Sequence, residues 1–168
     1  MIQQTTGKIK FYYEKDTLFN DISLMSNYMC KNMTSKDGNS LTDEYAISDD
    51  ERDLVDVSVR ATLPDIYEAM VKITNSINSA FEDEDTISNK TCVSFTIQDN
   101  EAYNGNVLTM VDASLYNCLK YGTLREVYST ITQTEFFNLC TARFLSELFK
   151  LKGRLFQLKK KSVVSSLT

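Results

Sequence analysis

The chain has 168 residues, 42% of them hydrophobic, and carries 18 Lys and Arg against 23 Asp and Glu, which gives a net charge of −5. This length and apolar content predict one domain with a buried core. Histidine is absent, which excludes Ser-His-Asp and Cys-His catalytic sites and removes the usual nitrogen ligand of zinc. We therefore expect no enzyme activity, no metal and no cofactor.

The N-terminal part of the chain predicts one strand and one helix. Apolar side chains alternate with polar ones from Lys8 to Tyr13, which indicates a short strand or the lead-in to the following helix. Asp16 is a suitable N-cap for a helix from about Thr17 to Asn32, whose apolar residues recur at helical spacing. Turn-forming residues from Thr34 to Ser40 then predict an exposed loop.

A long helical arm from Ser48 to Phe81 is the central element that the sequence predicts. Ser48 and Glu51 have the spacing of a capping box, in which each side chain bonds the backbone amide of the other residue. Apolar residues then follow at three-and-four spacing as far as Phe81, which indicates a helix buried on one side. The only proline, Pro64, lies in the middle of the arm, where it predicts a kink or a break.

Two further segments follow the arm. Glu82 to Asp85 would place four acids at the negative end of the predicted helix, so we expect an acidic loop there. Residues Thr91 to Gln98 alternate strictly between apolar and polar side chains, which is typical of a strand. A single strand must pair, so its partner is predicted to be Lys8 to Tyr13 or the same strand of another copy.

The next helix is predicted from about Val107 to Lys120. Gly122 follows it at the position of a left-handed C-cap. Thr123 to Glu126 has the spacing of a capping box, and so has Thr132 to Glu135. The last helical region is therefore predicted to be either two helices or one helix with a bend near Thr130 to Thr134.

We assign residues 1–161 to a single domain, mainly α-helical, with a short N-terminal strand or arm. Its predicted architecture is a helical bundle built on the long kinked helix, with one or two short β-strands. Lys159, Lys160 and Lys161 lie in the last predicted helical turn, where cations stabilise the helix dipole. Residues 162–168 are predicted to form a C-terminal tail.

The cysteine pattern predicts buried, reduced thiols. The four cysteines are widely spaced, form no CxxC pair and have apolar neighbours: Cys30, Cys92, Cys118 and Cys140. Residues 1–7 have neither a basic start nor an apolar run, so we expect no export signal. No stretch is apolar for long enough to predict a transmembrane helix.

Charge is unevenly distributed along the chain. Through Gly122 there are 10 basic and 20 acidic residues, whereas from Thr123 onward there are 8 and 3. Either the charges are scattered over solvated surfaces, or copies of the chain meet acidic side to basic side. The second interpretation gives these subunit-interface candidates: Glu82, Asp83, Glu84, Asp85, Val93, Phe95, Ile97, Lys159, Lys160 and Lys161.

The sequence bears on three classes of function. Long amphipathic helices, a small sheet and charged segments favour a structural subunit. A nucleic-acid-binding helical protein would use six basic residues, but their spacing places them around a helix end instead of along one stripe: Lys150, Lys152, Arg154, Lys159, Lys160 and Lys161. An enzyme is disfavoured because the sequence contains no phosphate-binding glycine loop and no nucleophile motif.

Three segments follow one another in chain order: Asp50 to Val55 opens a long helix, Thr96 to Asn100 closes a strand, and a final helical pair runs to Arg154–Lys159. This order resembles a head-to-tail connector protein of tailed bacteriophages. The absence of His and Trp, with abundant Asn, Thr, Tyr and Met, resembles virion proteins of crAss-like phages that infect gut Bacteroidales. The resemblance covers about residues 43–160.

The resemblance implies a structural virion protein, made in the host cytoplasm, that forms a ring in the neck or collar between portal and tail. Such rings are homo-oligomers, commonly twelvefold. The implied partners are the portal and other neck or tail proteins, with DNA passing through the channel without sequence-specific binding and with no membrane. No long docking extension is identifiable in the sequence. The resemblance therefore does not indicate which layer of the neck or tail the ring would occupy. Another tail or capsid-associated structural role is the alternative.

Overall fold

A computed structural model describes residues 1–5, 8–31, 38, 41–73, 78–98 and 105–165. Helices and a four-stranded sheet make up most of this part of the chain. In order, the elements are β1 (Ile2–Thr5), β2 (Lys8–Glu14), α1 (Lys15–Lys31), α2 (Thr42–Tyr45), α3 (Arg52–Ile73), β3 (Asn78–Ile87), β4 (Lys90–Gln98), α4 (Gly105–Thr130) and α5 (Thr134–Ser165). The predicted mainly helical class is confirmed, whereas the expectation of one or two strands is wrong.

The sheet is antiparallel throughout, with the strand order β1-β2-β4-β3. In β2 and β4, Ile9 lies opposite Ile97 and Phe11 lies opposite Phe95, and all four side chains are buried. Alternation places them on one face of the sheet. The two predicted strands are therefore confirmed, and they pair with each other. Because β4 also pairs with β3, it lies inside the sheet and has no edge free to pair with another copy.

The predicted start of the long arm is confirmed. The backbone amide of Ser48 donates to Glu51 Oε2 at 2.7 Å, and the Ser48 hydroxyl accepts from the amide of Asp50. This capping box opens a single 3-10 turn at Asp49–Glu51 that leads directly into α3. The acids of this turn lie where unpaired amides and the helix dipole favour negative charge.

The predicted end of the arm is wrong. Helix α3 ends at Ile73, and β3 begins at Asn78. Phe81, which was expected in the helix, lies opposite Phe95 of β4 in the strand ladder. Pairing with a strand that follows later in the chain therefore overrides the helical spacing of the apolar residues.

Helix α3 continues through Pro64, so of the predicted kink or break the break does not occur. Proline lacks the amide that would bond the preceding turn, which weakens an isolated helix. Here Leu63 and Ile66, on either side of it, are buried in the core. Tertiary packing of these neighbours accounts for the continuity of the helix.

Helix α4 is longer than predicted because Gly122 is not a C-cap. Gly122 is buried within the helix, and a Cβ placed on it would clash with Cγ2 of Thr62 and lie 3.1 Å from Cε2 of Phe144. The glycine therefore allows α3 and α5 to approach α4 closely. Thr123, predicted to cap a new helix, is also buried, and its hydroxyl has no hydrogen-bond partner in the described part of the chain.

A short turn separates α4 from α5, so of the two predicted alternatives near Thr130 to Thr134 the separate helices are found and the single bent helix is not. Thr132 in this turn has a positive φ of 57°. Helix α5 then continues to Ser165, so the expectation that residues 162–168 form a tail is wrong for residues 162–165. Residues 166–168 lie outside the described part of the chain.

The region of α1 agrees with the prediction except at its start. The helix begins at Lys15, so Asp16 lies in its first turn and is not the N-cap. Of the predicted loop from Thr34 to Ser40, only Gly38 is described, and its φ of 79° is in the left-handed region. The rest of that loop lies outside the described residues.

The sheet and the long helices bury their apolar side chains in one core. Its largest fully buried side chains are aromatic: Tyr128, Phe11, Phe95, Phe136 and Phe144. The four cysteines are free and buried, as predicted. Burial raises the pKa of the Cys140 thiol to about 12, so this thiol stays protonated and unreactive at neutral pH.

Candidate functional site

The acids from Glu82 to Asp85 lie in β3, so the predicted acidic loop is wrong. Lys10 Nζ, on β2, lies 2.8 Å from Glu82 Oε2 and 2.6 Å from Asp85 Oδ2. Burial alone would lower the pKa of Lys10, but the hydrogen bonds to the two carboxylates outweigh this effect and raise its pKa. The hydrogen bond from Lys10 to Asp85 also lowers the pKa of Asp85. Both acids are therefore paired within the chain, although the single lysine leaves the three groups with net negative charge.

Arg60 of α3 pairs with the other two acids. Its guanidinium lies 3.2 Å from Asp83 and 2.9 Å from Glu84, and also 3.1 Å from Asp56 of its own helix. Contact with a basic segment of another copy would therefore compete with an ion pair at each of the four acids. This makes the acidic run a weak candidate for a subunit interface.

The apolar residues of the predicted interface lie in the core. Val93, Phe95 and Ile97 are fully buried, and they belong to the inner strand β4. Their side chains cannot reach a neighbouring copy, so this part of the interface prediction is wrong. Lys159, Lys160 and Lys161 belong to α5, as expected, but their side chains lie outside the described part of the structure.

An unpredicted apolar surface runs along the solvent side of α5. Leu145, Phe149 and Phe156 are 56%, 79% and 53% exposed. Their spacings of four and seven place them on one side of the helix, and we call these three residues the outer stripe. The opposite side of α5 is buried in the core through Phe136, Cys140, Phe144, Leu151, Leu155 and Leu158. Exposed apolar patches of this kind mark interaction surfaces.

The outer stripe belongs to a basic helix. Helix α5 contains seven Lys and Arg against two Glu. Lys150 pairs with Glu147 at 2.6 Å, and Arg154 donates to the Met110 carbonyl oxygen at 2.6 Å. Lys152 falls between Phe149 and Phe156 on the same side and has no ion pair in the described part of the chain. The stripe therefore combines apolar side chains with an unpaired cation.

A second candidate surface is a cavity of about 650 Å³ where β2, β4, α1 and α4 meet. The rings of Tyr13 and Tyr116 stack in its wall, with centroids 5.5 Å apart. We call this cavity the tyrosine groove. Its other polar lining residues include Glu14, Asp21, Asp112, Lys90 and Cys92.

Both stacked tyrosines of the groove donate to a carboxylate. Tyr13 Oη lies 2.8 Å from Asp112 Oδ1, and Tyr116 Oη lies 2.6 Å from Asp21 Oδ2. Burial is the main cause that raises the pKa of both tyrosines, and the neighbouring carboxylate raises it further. Both hydroxyls therefore stay protonated. Neither aspartate has an ion pair with a cation among the described residues. Within the described part of the chain, the tyrosine hydroxyls are therefore the partners of these two carboxylates, and no cation pairs with them.

The rim of the groove adds a paired charge. Glu14 lies 2.7 Å from Lys90 Nζ, and this hydrogen bond lowers the pKa of Glu14. With Asp21 and Asp112, the groove carries three carboxylates against Lys90 and the α-ammonium group of Met1, which donates to the Tyr12 carbonyl oxygen. Burial raises the pKa of Cys92, so its thiol is protonated at neutral pH. These groups suit binding of a ligand through apolar contact and charge instead of nucleophilic chemistry.

Sequence reasoning missed both surfaces for different reasons. The groove joins side chains from distant parts of the chain, so no local motif contains Tyr13, Asp21, Asp112 and Tyr116 together. The outer stripe did leave a signal: Leu145, Phe149 and Phe156 repeat at helical spacing beside the buried stripe. A helix with apolar residues on two sides has more apolar surface than one core can cover.

Among the described ranges, no helix combines the length and the apolar character that crossing a membrane requires. Comparisons with protein-family models, curated proteins and solved structures found no match. The outer stripe and the tyrosine groove are therefore interpreted from their own geometry.

Proposed function

We propose that the chain is a structural virion protein whose identical copies form a closed ring in the head-to-tail connector of a tailed bacteriophage. In this neck or collar, the ring joins portal to tail around the DNA channel. The observation that carries the assembly is the outer stripe of α5, three large apolar side chains exposed on one side of a helix. The connector setting is supported by the resemblance of the three sequence segments described above.

The outer stripe suits side-by-side packing of identical subunits. Covering its apolar area would contribute about 25 cal/mol per Å² of surface removed from water. A straight stripe along one helix fits a neighbouring helical surface, because helices pack through rows of side chains at such spacings. Contacts between two different surfaces of identical copies close into a ring when the rotation between copies completes a circle.

The geometry favours contact with protein over contact with nucleic acid. Of the six basic residues of the nucleic-acid interpretation, Lys150 and Arg154 are engaged within the chain. The side of α5 that faces solvent presents two phenylalanines around Lys152. A phosphate-binding surface would instead present several cations along one line.

Mass in solution tests the assembly. Phe149→Glu places a charge in the middle of the outer stripe, and Val57→Glu makes the same type of change at an exposed valine of α3 that is outside the stripe. We expect the wild-type chain and Val57→Glu to sediment as the same oligomer, and Phe149→Glu to sediment as a 19.2 kDa monomer. A wild-type chain that stays monomeric at its highest soluble concentration would contradict self-assembly.

Labelling of virions tests the connector setting separately. We expect an antibody raised against this chain to bind purified phage particles at the junction of head and tail. Labelling confined to the capsid faces or to the length of the tail would support the alternative structural role and exclude the connector.

A further inference from the structure

We propose that the tyrosine groove of one copy receives the outer stripe of the next copy. The inference rests on the ring assembly of the proposed function, and it names the second surface of the contact. The two surfaces differ in residues, shape and charge, so the contact would be of the head-to-tail type that closes rings.

The two surfaces lie at the same level of the molecule. Helices α4 and α5 are antiparallel, since Gly122 lies against Phe144 and Met110 lies against Arg154. The part of α5 around Arg154, which includes Phe156, is therefore level with the part of α4 that lines the groove. Rotation about an axis parallel to these helices keeps every residue at its own level. The stripe of one copy can therefore meet the groove of the next.

The two surfaces also lie on different sides of α4. Thr109, Asp112, Ala113 and Tyr116 line the groove and share one face of the helix. Ser114 accepts a hydrogen bond from Arg154 of α5 and therefore marks the side of α4 that faces α5. At about 100° per residue, Ser114 lies about 140° around the helix axis from Thr109, which marks the groove side. Each copy therefore presents the groove and α5 in different directions, as a head-to-tail contact requires.

The chemistry of the two surfaces is complementary. The groove carries three carboxylates against Lys90 and the α-ammonium group of Met1, and Asp21 and Asp112 have no cation partner among the described residues. Helix α5 carries seven basic residues against two acidic ones, and Lys152 lies within the stripe. Tyrosine walls suit the rings of Phe149 and Phe156. The volume of about 650 Å³ is within the range of cavities that hold ligands larger than one side chain.

Two variants test the two surfaces separately, because each variant blocks one surface and leaves the other intact. Ala113 is exposed and lines the groove, so Ala113→Arg fills the groove and adds a cation there without removing a core side chain. Phe149→Glu disrupts the stripe and leaves the groove intact. The matched control is Ala61→Arg, the same change at an exposed alanine of α3 outside the groove. We expect each blocking variant alone to be monomeric and the control to assemble like the wild type.

Mixing the two blocking variants gives the decisive result. Each retains one intact surface, so the equimolar mixture is expected to form a 1:1 dimer and no larger species. A mixture that stays monomeric, or an Ala113→Arg chain that assembles like the wild type, would overturn the groove as the receiving surface. In both cases the proposed ring would stand if the wild type still assembles and Phe149→Glu does not.

A second groove variant guards against a folding defect. If circular dichroism shows that Ala113→Arg is unfolded, Thr109→Arg takes its place, since Thr109 is also exposed and lines the groove. The same dimer is expected in its mixture with Phe149→Glu. Assembly of a folded Thr109→Arg chain at the wild-type size would overturn the inference.

Discussion

Strand β3 and the outer side of α5 differ in whether their side chains already have partners within the chain. The sequence draws attention to β3 through four consecutive acids, yet Lys10 and Arg60 pair with all four within the chain. The outer side of α5 has no comparable motif, yet it exposes two phenylalanines and a leucine. A run of charge therefore marks an interface only when its partners are missing from its own chain.

The largest expected effect separates the two sides of α5. Phe144→Ala removes a fully buried ring and should lower the free energy of unfolding by about 3–5 kcal/mol. Phe149→Ala removes an exposed ring and should change it by less than about 0.5 kcal/mol. Urea unfolding of both variants at low concentration, where copies are separated, measures the difference. Equal losses would contradict the assignment of an inner and an outer side.

A smaller effect is expected where α3, α4 and α5 meet. Gly122→Ala forces a methyl group against Cγ2 of Thr62 and should cost about 1–3 kcal/mol of unfolding free energy. Thr62→Ser removes that methyl group and keeps the hydroxyl, which donates to the Ser58 carbonyl oxygen at 3.0 Å. The double variant should therefore recover part of the loss in thermal unfolding. A Gly122→Ala chain as stable as the wild type would contradict the close approach.

The smallest expected effect tests whether the acids of β3 act within the chain. Lys10 lowers the pKa of Asp85, so this pair contributes stability above the ordinary carboxylate pKa of 3.8 and loses it as pH falls through the lower, folded-state pKa. Asp85→Asn should be less stable than the wild type at neutral pH, and the difference should vanish in acid. Denaturant unfolding across this range measures it. A difference that is independent of pH would exclude an ion-pair origin.

Local signals in the sequence predicted local structure correctly. The capping box at Ser48 opens the turn before α3, and the alternation in β2 and β4 gives two strands that pair with each other. These features depend on residues close together or on a simple period, so they can be read without the tertiary fold. The break between α4 and α5 was also predictable, because a capping-box pattern lies there.

The errors arose where distant parts of the chain decide the structure. Phe81 continues a helical apolar spacing, but pairing with β4 places it in a strand. Gly122 has the sequence appearance of a helix end, whereas the approach of Thr62 explains it. The tyrosine groove joins residues of α1, β2 and α4, so only the tertiary fold brings its parts together.

Imaging of the purified wild-type chain tests the central claim most directly. We expect averaged electron micrographs to show closed rings of identical densities, each with α5 at the boundary to its neighbour. The Phe149→Glu chain, imaged under the same conditions, should show no rings. Particles made only of two-fold pairs, or rings in which α5 lies away from every subunit boundary, would contradict the account.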